Sequence, residues 1–218
     1  MKTALIFGSS GLIGGHLLSH LIENDDYNKI KIFVRSEPEI NDPKVEIIKT
    51  DFNNLENHKE DIKGDDCFFC IGATKQNSPD KNEYRRVELD VPKQIAQIAK
   101  SNSVNSFLFV SSGYADPKSS GDYLKFKGEV EEELKRLNFS KLGIMRPSFL
   151  LGDRKEKRVG EKIGIFVFKL LSPLFLGPLK KMKPIHSATV AKAMIRTANE
   201  DLEKIIFESN EIAELVLN

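Results

Sequence analysis

Apolar residues recur along the chain in two alternating arrangements. Short apolar runs bounded by turn residues predict strands near 2–8, 29–35, 44–49, 65–71, 104–111 and 141–146, as in Thr3-Ala-Leu-Ile-Phe7 and Lys29-Ile-Lys-Ile-Phe-Val34. Between them, spacing of three and four predicts helices near 11–24, 53–62, 82–101, 121–138 and 187–199. Alternation of strands and helices implies an α/β chain: a doubly wound parallel sheet, with right-handed crossovers placing helices on both faces. The whole of residues 1–218 reads as one such domain, with 150–186 as an inserted helical segment that covers the site as a lid. Ligands in these sheets bind beyond the carboxyl ends of the strands. Gly8, Arg35, Asp51, Gly72, Ser112 and Arg146 all fall at such ends.

The first strand runs directly into Gly8-Ser-Ser-Gly11-Leu-Ile-Gly14, and the residues from Gly11 to Ile22 are apolar on nearly every face. Glycines at a strand-to-helix junction allow a tight turn and close backbone approach to a pyrophosphate. The phosphates then rest on the helix N-terminus, where free N–H groups and the helix dipole favour negative charge. A glycine-rich turn with only a packing role is the simpler alternative; the coincidence of strand, glycines and helix argues against it. Arg35 lies 21 residues after Gly14, at the end of the second strand. An acidic residue there accepts from a ribose 2′-hydroxyl, whereas an arginine accommodates a 2′-phosphate, so the expected cofactor is NADP (NADPH) over NAD. Asp51-Phe52 falls where a side chain meets the adenine.

Tyr123 and Lys127 open a helix whose apolar positions Val130, Leu134 and Leu137 follow the same spacing. Four residues apart, the two side chains share a face, about 5–6 Å apart at Cβ. A free phenol titrates near ~10 and is a poor base at neutral pH; an adjacent ammonium favours the phenolate. Ser112, with Ser111 beside it at the mouth of the preceding strand, is placed to donate to a carbonyl oxygen as charge develops.

Composition narrows the partners. Lys and Arg number 33 against 32 acids in 218 residues, and a net charge of +1 exerts no general pull on nucleic acid. Met1-Lys-Thr leads straight into the first strand without a signal peptide, and two cysteines without tryptophan suit a cytoplasmic chain lacking a disulfide framework. Cys67 and Cys70 share a strand at odd spacing, so their thiols leave opposite faces and a redox or metal pair is not expected. His16 and His20 lack a third ligand and read as core or interface residues. After residue 150, Asp153 to Arg158 reads as a solvated charged loop. Ile163 to Leu179 is apolar but broken by Gly164, Pro173 and Pro178, too short for a membrane span of ~20 residues. It reads as helices covering the cleft or forming a homodimer contact, with peripheral membrane docking beside Lys180, Lys181 and Lys183 as the alternative. His186 reads as a core or surface residue near the cleft.

The glycine turn, Phe69-Cys-Ile-Gly72, Val110-Ser-Ser-Gly-Tyr-Ala-Asp116, Tyr123-Leu-Lys-Phe-Lys127 and Arg146-Pro-Ser-Phe-Leu-Leu-Gly-Asp-Arg154 resemble an atypical short-chain dehydrogenase/reductase, within it the Tat-interacting-protein family of NADPH-binding oxidoreductase-like proteins. The resemblance implies a Rossmann-type fold and an NADP(H) site using Gly8, Ser10, Gly11, Leu12, Ile13, Arg35, Ile71, Gly72, Tyr123, Lys127, Arg146 and Pro147, with Tyr123 as the proton-transfer residue. It implies reduction of a carbonyl on a small substrate. A non-catalytic NADPH-binding regulator is the first alternative, and a nucleotide-sugar epimerase the second, disfavoured by the roughly 70 residues after Gly143. Ser111 and Ser112 both stay candidates for the carbonyl-facing hydroxyl, because the interval to Tyr123 is shorter than in classical members.

Overall fold

In the computed structural model, residues 1–73, 80–152 and 181–217 are described. The expected alternation is present: β1 (Lys2–Phe7), α1 (Leu12–Ile22), β2 (Tyr27–Val34), β3 (Val45–Lys49), β4 (Asp66–Phe69), α2 (Lys81–Arg85), α3 (Val91–Ser101), β5 (Ser106–Val110), α4 (Asp122–Leu137) and β6 (Lys141–Arg146). Then come β7 (Leu150–Leu151), β8 (Ile185–His186), α5 (Ser187–Asn199), β9 (Ile206–Glu208) and α6 (Ser209–Leu217). Seven strands form one parallel sheet in the order β3-β2-β1-β4-β5-β6-β9. Outward growth on both sides of β1 leaves a crevice at the β1/β4 boundary, the switch point of a doubly wound sheet.

Alternation within β1 explains the two cores. Leu5 and Phe7 face one layer with Phe33, Phe69, Phe107 and Phe109, covered by Ile95 and Ala99 of α3 and Val130 and Leu134 of α4. Ala4 and Ile6 face the other, with Ile32, Phe68, Leu108 and Met145 beneath Leu17 and Leu21 of α1 and Val190 and Met194 of α5. Phe7 and Phe33, paired in register, stack with ring centres 4.3 Å apart. The cysteines obey the same rule: both are free thiols, Cys67 in the first core and Cys70 packed against the second.

Three sequence expectations are corrected. The helix expected over 53–62 is only a 3₁₀ turn, Leu55–His58, because Asp51 folds back on Asn53: its Oδ1 accepts from the Asn53 N–H (2.9 Å) and its Oδ2 from the Asn53 side chain (2.7 Å). The single helix expected over 82–101 is split by a π-helical turn, Arg86–Asp90, between α2 and α3. Pro92 has no N–H to donate to the Glu88 carbonyl, so the regular ladder cannot run through this point. Beyond residue 199, β9 and α6 complete the fold where no element was expected. A small parallel ladder, β7 with β8, joins the flanks of the segment read as a lid. The expectations for 153–180, including the apolar 163–179 stretch, lie outside the described residues. Among the described residues no helix is long and apolar enough to cross a membrane, and no cluster of His, Cys, Asp and Glu is suited to a metal ion.

Candidate functional site

The glycine turn is compressed on two sides. Gly8 has φ +94°, and a Cβ there would lie 2.9 Å from both the Cys70 carbonyl carbon and the Ile71 nitrogen. Gly14 is tighter still: its Cβ would meet the Gly8 oxygen at 2.1 Å. The Gly11 N–H donates to that same Gly8 oxygen (3.0 Å), and Gly11 starts α1 with no side chain capping the first turn and no acid within it. The first N–H groups of α1 are therefore left for an external anion, beside a backbone surface without side chains. This cradle fits the pyrophosphate of a dinucleotide. Ser10 is exposed at its edge and Leu12 half-buried, whereas the Ile13 side chain belongs to the core, so only the Ile13 backbone can serve a ligand.

Arg35 stands exposed at the end of β2. Next to it, beyond β3, Phe52 takes a left-handed backbone (φ 62°) and packs its ring against Phe7 at 6.5 Å. Arg86 fastens this corner, donating to the Phe52 carbonyl (3.0 Å) and to both Glu83 carboxylate oxygens (2.8 Å each). Asp51 is exposed, and hydrogen bonds from Asn53 hold its carboxyl below the usual range. Its carboxylate is thus engaged within its own turn, beside Phe52. Ile71 and Gly72 follow β4, half-buried and exposed respectively.

Tyr123 and Lys127 differ sharply in burial: Tyr123 is 37% exposed, Lys127 only 3%. The Lys127 ammonium lies 6.0 Å from the Tyr123 ring centre and 4.9 Å above the Phe109 ring, and donates to the Val110 carbonyl at 3.2 Å. Its counter-charge was not anticipated. Glu88, in the π-helical turn and 1% exposed, places Oε2 3.1 Å from the Lys127 Nζ, while its Oε1 accepts the Ala73 N–H. Burial alone would push the ammonium's pKa down; the Glu88 carboxylate, reinforced by Tyr123 and Glu131, outweighs it and the value is raised.

Geometry separates the two serines. Ser111 is buried and donates to Glu131 Oε1 at 2.5 Å. Arg146 clamps both oxygens of the same carboxylate (Nε 2.9 Å, Nη2 2.5 Å) and reaches Glu208 at 3.3 Å and the Ala115 carbonyl at 3.2 Å. Ser112 is half-buried, and its hydroxyl donates to the Gly113 carbonyl at 3.3 Å, so it is not sealed in the fold as Ser111 is. The Arg146 side chain is thus engaged with the fold, and at the same strand end the Pro147 carbonyl accepts the Gly113 N–H (3.1 Å) and ties it to the serine loop. Past the serine loop opens a recess of about 360 Å³ lined by Tyr114, Ala115, Asp116, Ser119, Arg146, Lys181 and Glu208, with the Lys181 ammonium 4.6 Å over the Tyr114 ring. Another cavity, about 370 Å³, lies at the opposite edge beside the start of β6. His16 and His186 are exposed and His20 is half-buried.

Sequence reasoning missed Glu88 and Glu131. Both sit on core-facing stripes, Glu88 four residues after Tyr84 and Glu131 four after Lys127, and a charge on such a stripe was the available signal.

A family model described as NAD(P)H-binding matches residues 8–201. Protein HTATIP2 of Rattus norvegicus is 33% identical over 165 residues, covering 73% of this chain and 67% of its own length. Protein FMP52 of Candida glabrata is 30% identical over 229 residues, covering 100% and 97%. FMP52 is named a mitochondrial protein there and in other yeasts, which corrects the cytoplasmic location expected from composition. Among solved structures, Bordetella bronchiseptica WbmH with NAD+ superposes with a TM-score of 0.71 at 17% identity, covering 95% of this chain and 75% of that one. Vestitone reductase of alfalfa gives 0.65 at 15% identity over 95% and 76%. With its glycine cradle at the switch point of a parallel sheet, the chain belongs to the NAD(P)H-binding family and is an atypical short-chain dehydrogenase/reductase with homology to HTATIP2 and FMP52.

Proposed function

We propose that the protein is an NADPH-dependent oxidoreductase that reduces a carbonyl group on a small substrate. The observation that carries this reading is the pairing of a partly exposed phenol, Tyr123, with a buried, charged ammonium, Lys127, which meets the carboxyl end of β5 on the side of the sheet that bears the glycine cradle. The backbone of Gly8 to Ile13 holds the pyrophosphate, and Arg35 meets a 2′-phosphate. A bound nicotinamide supplies the hydride for the carbonyl carbon. Tyr123 gives its proton to the carbonyl oxygen and recovers one from solvent, to which it is open. Lys127 stabilises the phenolate left behind, and Ser112 donates to the same oxygen as charge develops on it. The relatives named mitochondrial proteins support the same placement for this chain.

The test is NADPH oxidation with a panel of aldehydes and ketones, comparing wild type with Tyr123→Phe. Turnover is lost in the variant while NADPH affinity holds. If wild type binds NADPH and turns over no carbonyl, the regulator reading replaces this one.

A further inference from the structure

Lys127 belongs to the site described above; the group that controls it comes from elsewhere. A lysine ammonium has three donors. One reaches the Val110 carbonyl (3.2 Å) and one faces Glu88 Oε2 (3.1 Å). The Phe109 ring lies 4.9 Å from the charge and the Tyr123 ring 6.0 Å from it. Glu88 is thus the carboxylate held in ion-pair contact with the ammonium. Its other oxygen takes the Ala73 N–H, so one buried carboxylate joins the strand end after β4 to the Tyr123–Lys127 helix.

We propose that Glu88 is a positioning residue of the Tyr123–Lys127 pair, a buried counter-ion that keeps the ammonium charged and turns its free donor toward the cofactor crevice. Both partners are enclosed, with side-chain exposures of 3% for Lys127 and 0% for Glu88. An ammonium in such surroundings gives up its proton unless a charge opposes that loss. Among the described residues, the groups facing it are Glu88 from the π-helical turn, Cys70 from the end of β4, the Phe109 ring and Val110 carbonyl from β5, and Tyr123 and Glu131 from α4 itself, with Tyr84 beside Glu88. Glu131 is clamped by Arg146 on both oxygens and cannot replace Glu88. The split helix that delivers Glu88 is part of the device, since the π-helical turn ahead of Pro92 is where the carboxylate enters the core.

Glu88→Gln tests the role sharply. Both Glu88 oxygens face donors, so an amide NH2 must oppose either the Ala73 N–H or the ammonium. The direct readout is the titration of the Lys127 ammonium by heteronuclear NMR on lysine-labelled protein, its signal identified by its loss in Lys127→Met. In wild type the ammonium persists beyond the ordinary lysine range; in Glu88→Gln it titrates at least about one unit lower; Glu88→Asp, which keeps the charge, returns most of that shift. Identical titration in wild type and Glu88→Gln overturns the proposal. So does a wild-type Lys127 already neutral near pH 9, a result that needs no variant to fold. A second readout is NADPH affinity against pH, followed by cofactor fluorescence. Wild type stays level between about pH 7 and 9.5, and Glu88→Gln weakens by up to about tenfold per unit above its lowered titration point. Parallel affinity profiles overturn the pointing of the donor toward the crevice. This arm rests on the oxidoreductase reading: wild type that does not bind NADPH removes that reading, whereas the NMR titration still decides what Glu88 does to Lys127.

Discussion

Gly14 lies directly over the Gly8 carbonyl: a Cβ at Gly14 would come within 2.1 Å of that oxygen, while one at the neighbouring Gly15 would sit 3.6 Å from the Ser9 oxygen, an ordinary contact. Two adjacent glycines in one helix thus carry opposite expectations. Gly14→Ala forces the turn away from α1, costing about 2–3 kcal/mol of stability and abolishing NADPH binding. Gly15→Ala replaces a flexible helical residue without a clash and gains about 0.5 kcal/mol with binding intact. Denaturant unfolding with NADPH titration of both variants checks the pair, and equal effects at the two positions would refute the cradle.

In the proposed reading, Arg35 governs the choice between phosphorylated and unphosphorylated dinucleotide. Arg35→Glu removes the partner of the 2′-phosphate and places a carboxylate against it. NADPH affinity falls at least about tenfold while NADH affinity holds or improves. Fluorescence titration with both cofactors reads this, and a parallel loss for both would show that Arg35 does not sense the 2′ position.

The two serines separate stability from turnover. Ser111→Ala removes the 2.5 Å donation to Glu131 and costs about 1–2 kcal/mol. Arg146→Met leaves the Glu131 carboxylate, 2% exposed, without its main partner, at a cost of about 3–5 kcal/mol. Ser112→Ala leaves the melting temperature unchanged and slows carbonyl reduction. A Ser111→Ala protein as stable as wild type but slower in turnover would reverse the assignment.

Stability falls on the alkaline side. Burial pushes the Cys70 thiol up to about 12 and the Cys67 thiol well above its ordinary value; burial, aided by Asp66, raises Tyr27, and burial, aided by Glu88, raises Tyr84. The unfolded chain loses thiol protons from about pH 8.5, before the native state does. Between those points the native state holds more protons, so stability is complete below about pH 8.5 and declines as pH rises toward 12. The melting temperature therefore drops steadily above about pH 9, and Cys70→Ala shallows the slope. Disulfide-exchange reagents at pH 8 react slowly with both native thiols, since the thiolate is the reactive form. A flat alkaline melting curve would contradict these burials.

Features set by neighbours in the chain were readable from the residues alone. Strand runs, the glycine turn and the four-residue step from Tyr123 to Lys127 depend on local periodicity, and each is where that periodicity placed it. Local reading failed where a nearby contact competed, as when Asp51 and Asn53 closed a turn and left only 3₁₀ structure at Leu55–His58. It failed again at Pro92, where a missing donor broke a helix that the apolar spacing carried straight through. Which serine is sealed, what Arg146 holds and which carboxylate faces Lys127 were settled by packing. Ser111 meets Glu131 across 20 positions, Arg146 meets Glu208 across 62, and Lys127 meets a residue on a different crossover. Such partners are brought together by strand register and by the face each helix buries. A buried charge must then take whatever opposite charge that geometry delivers, because the interior offers no water in its place.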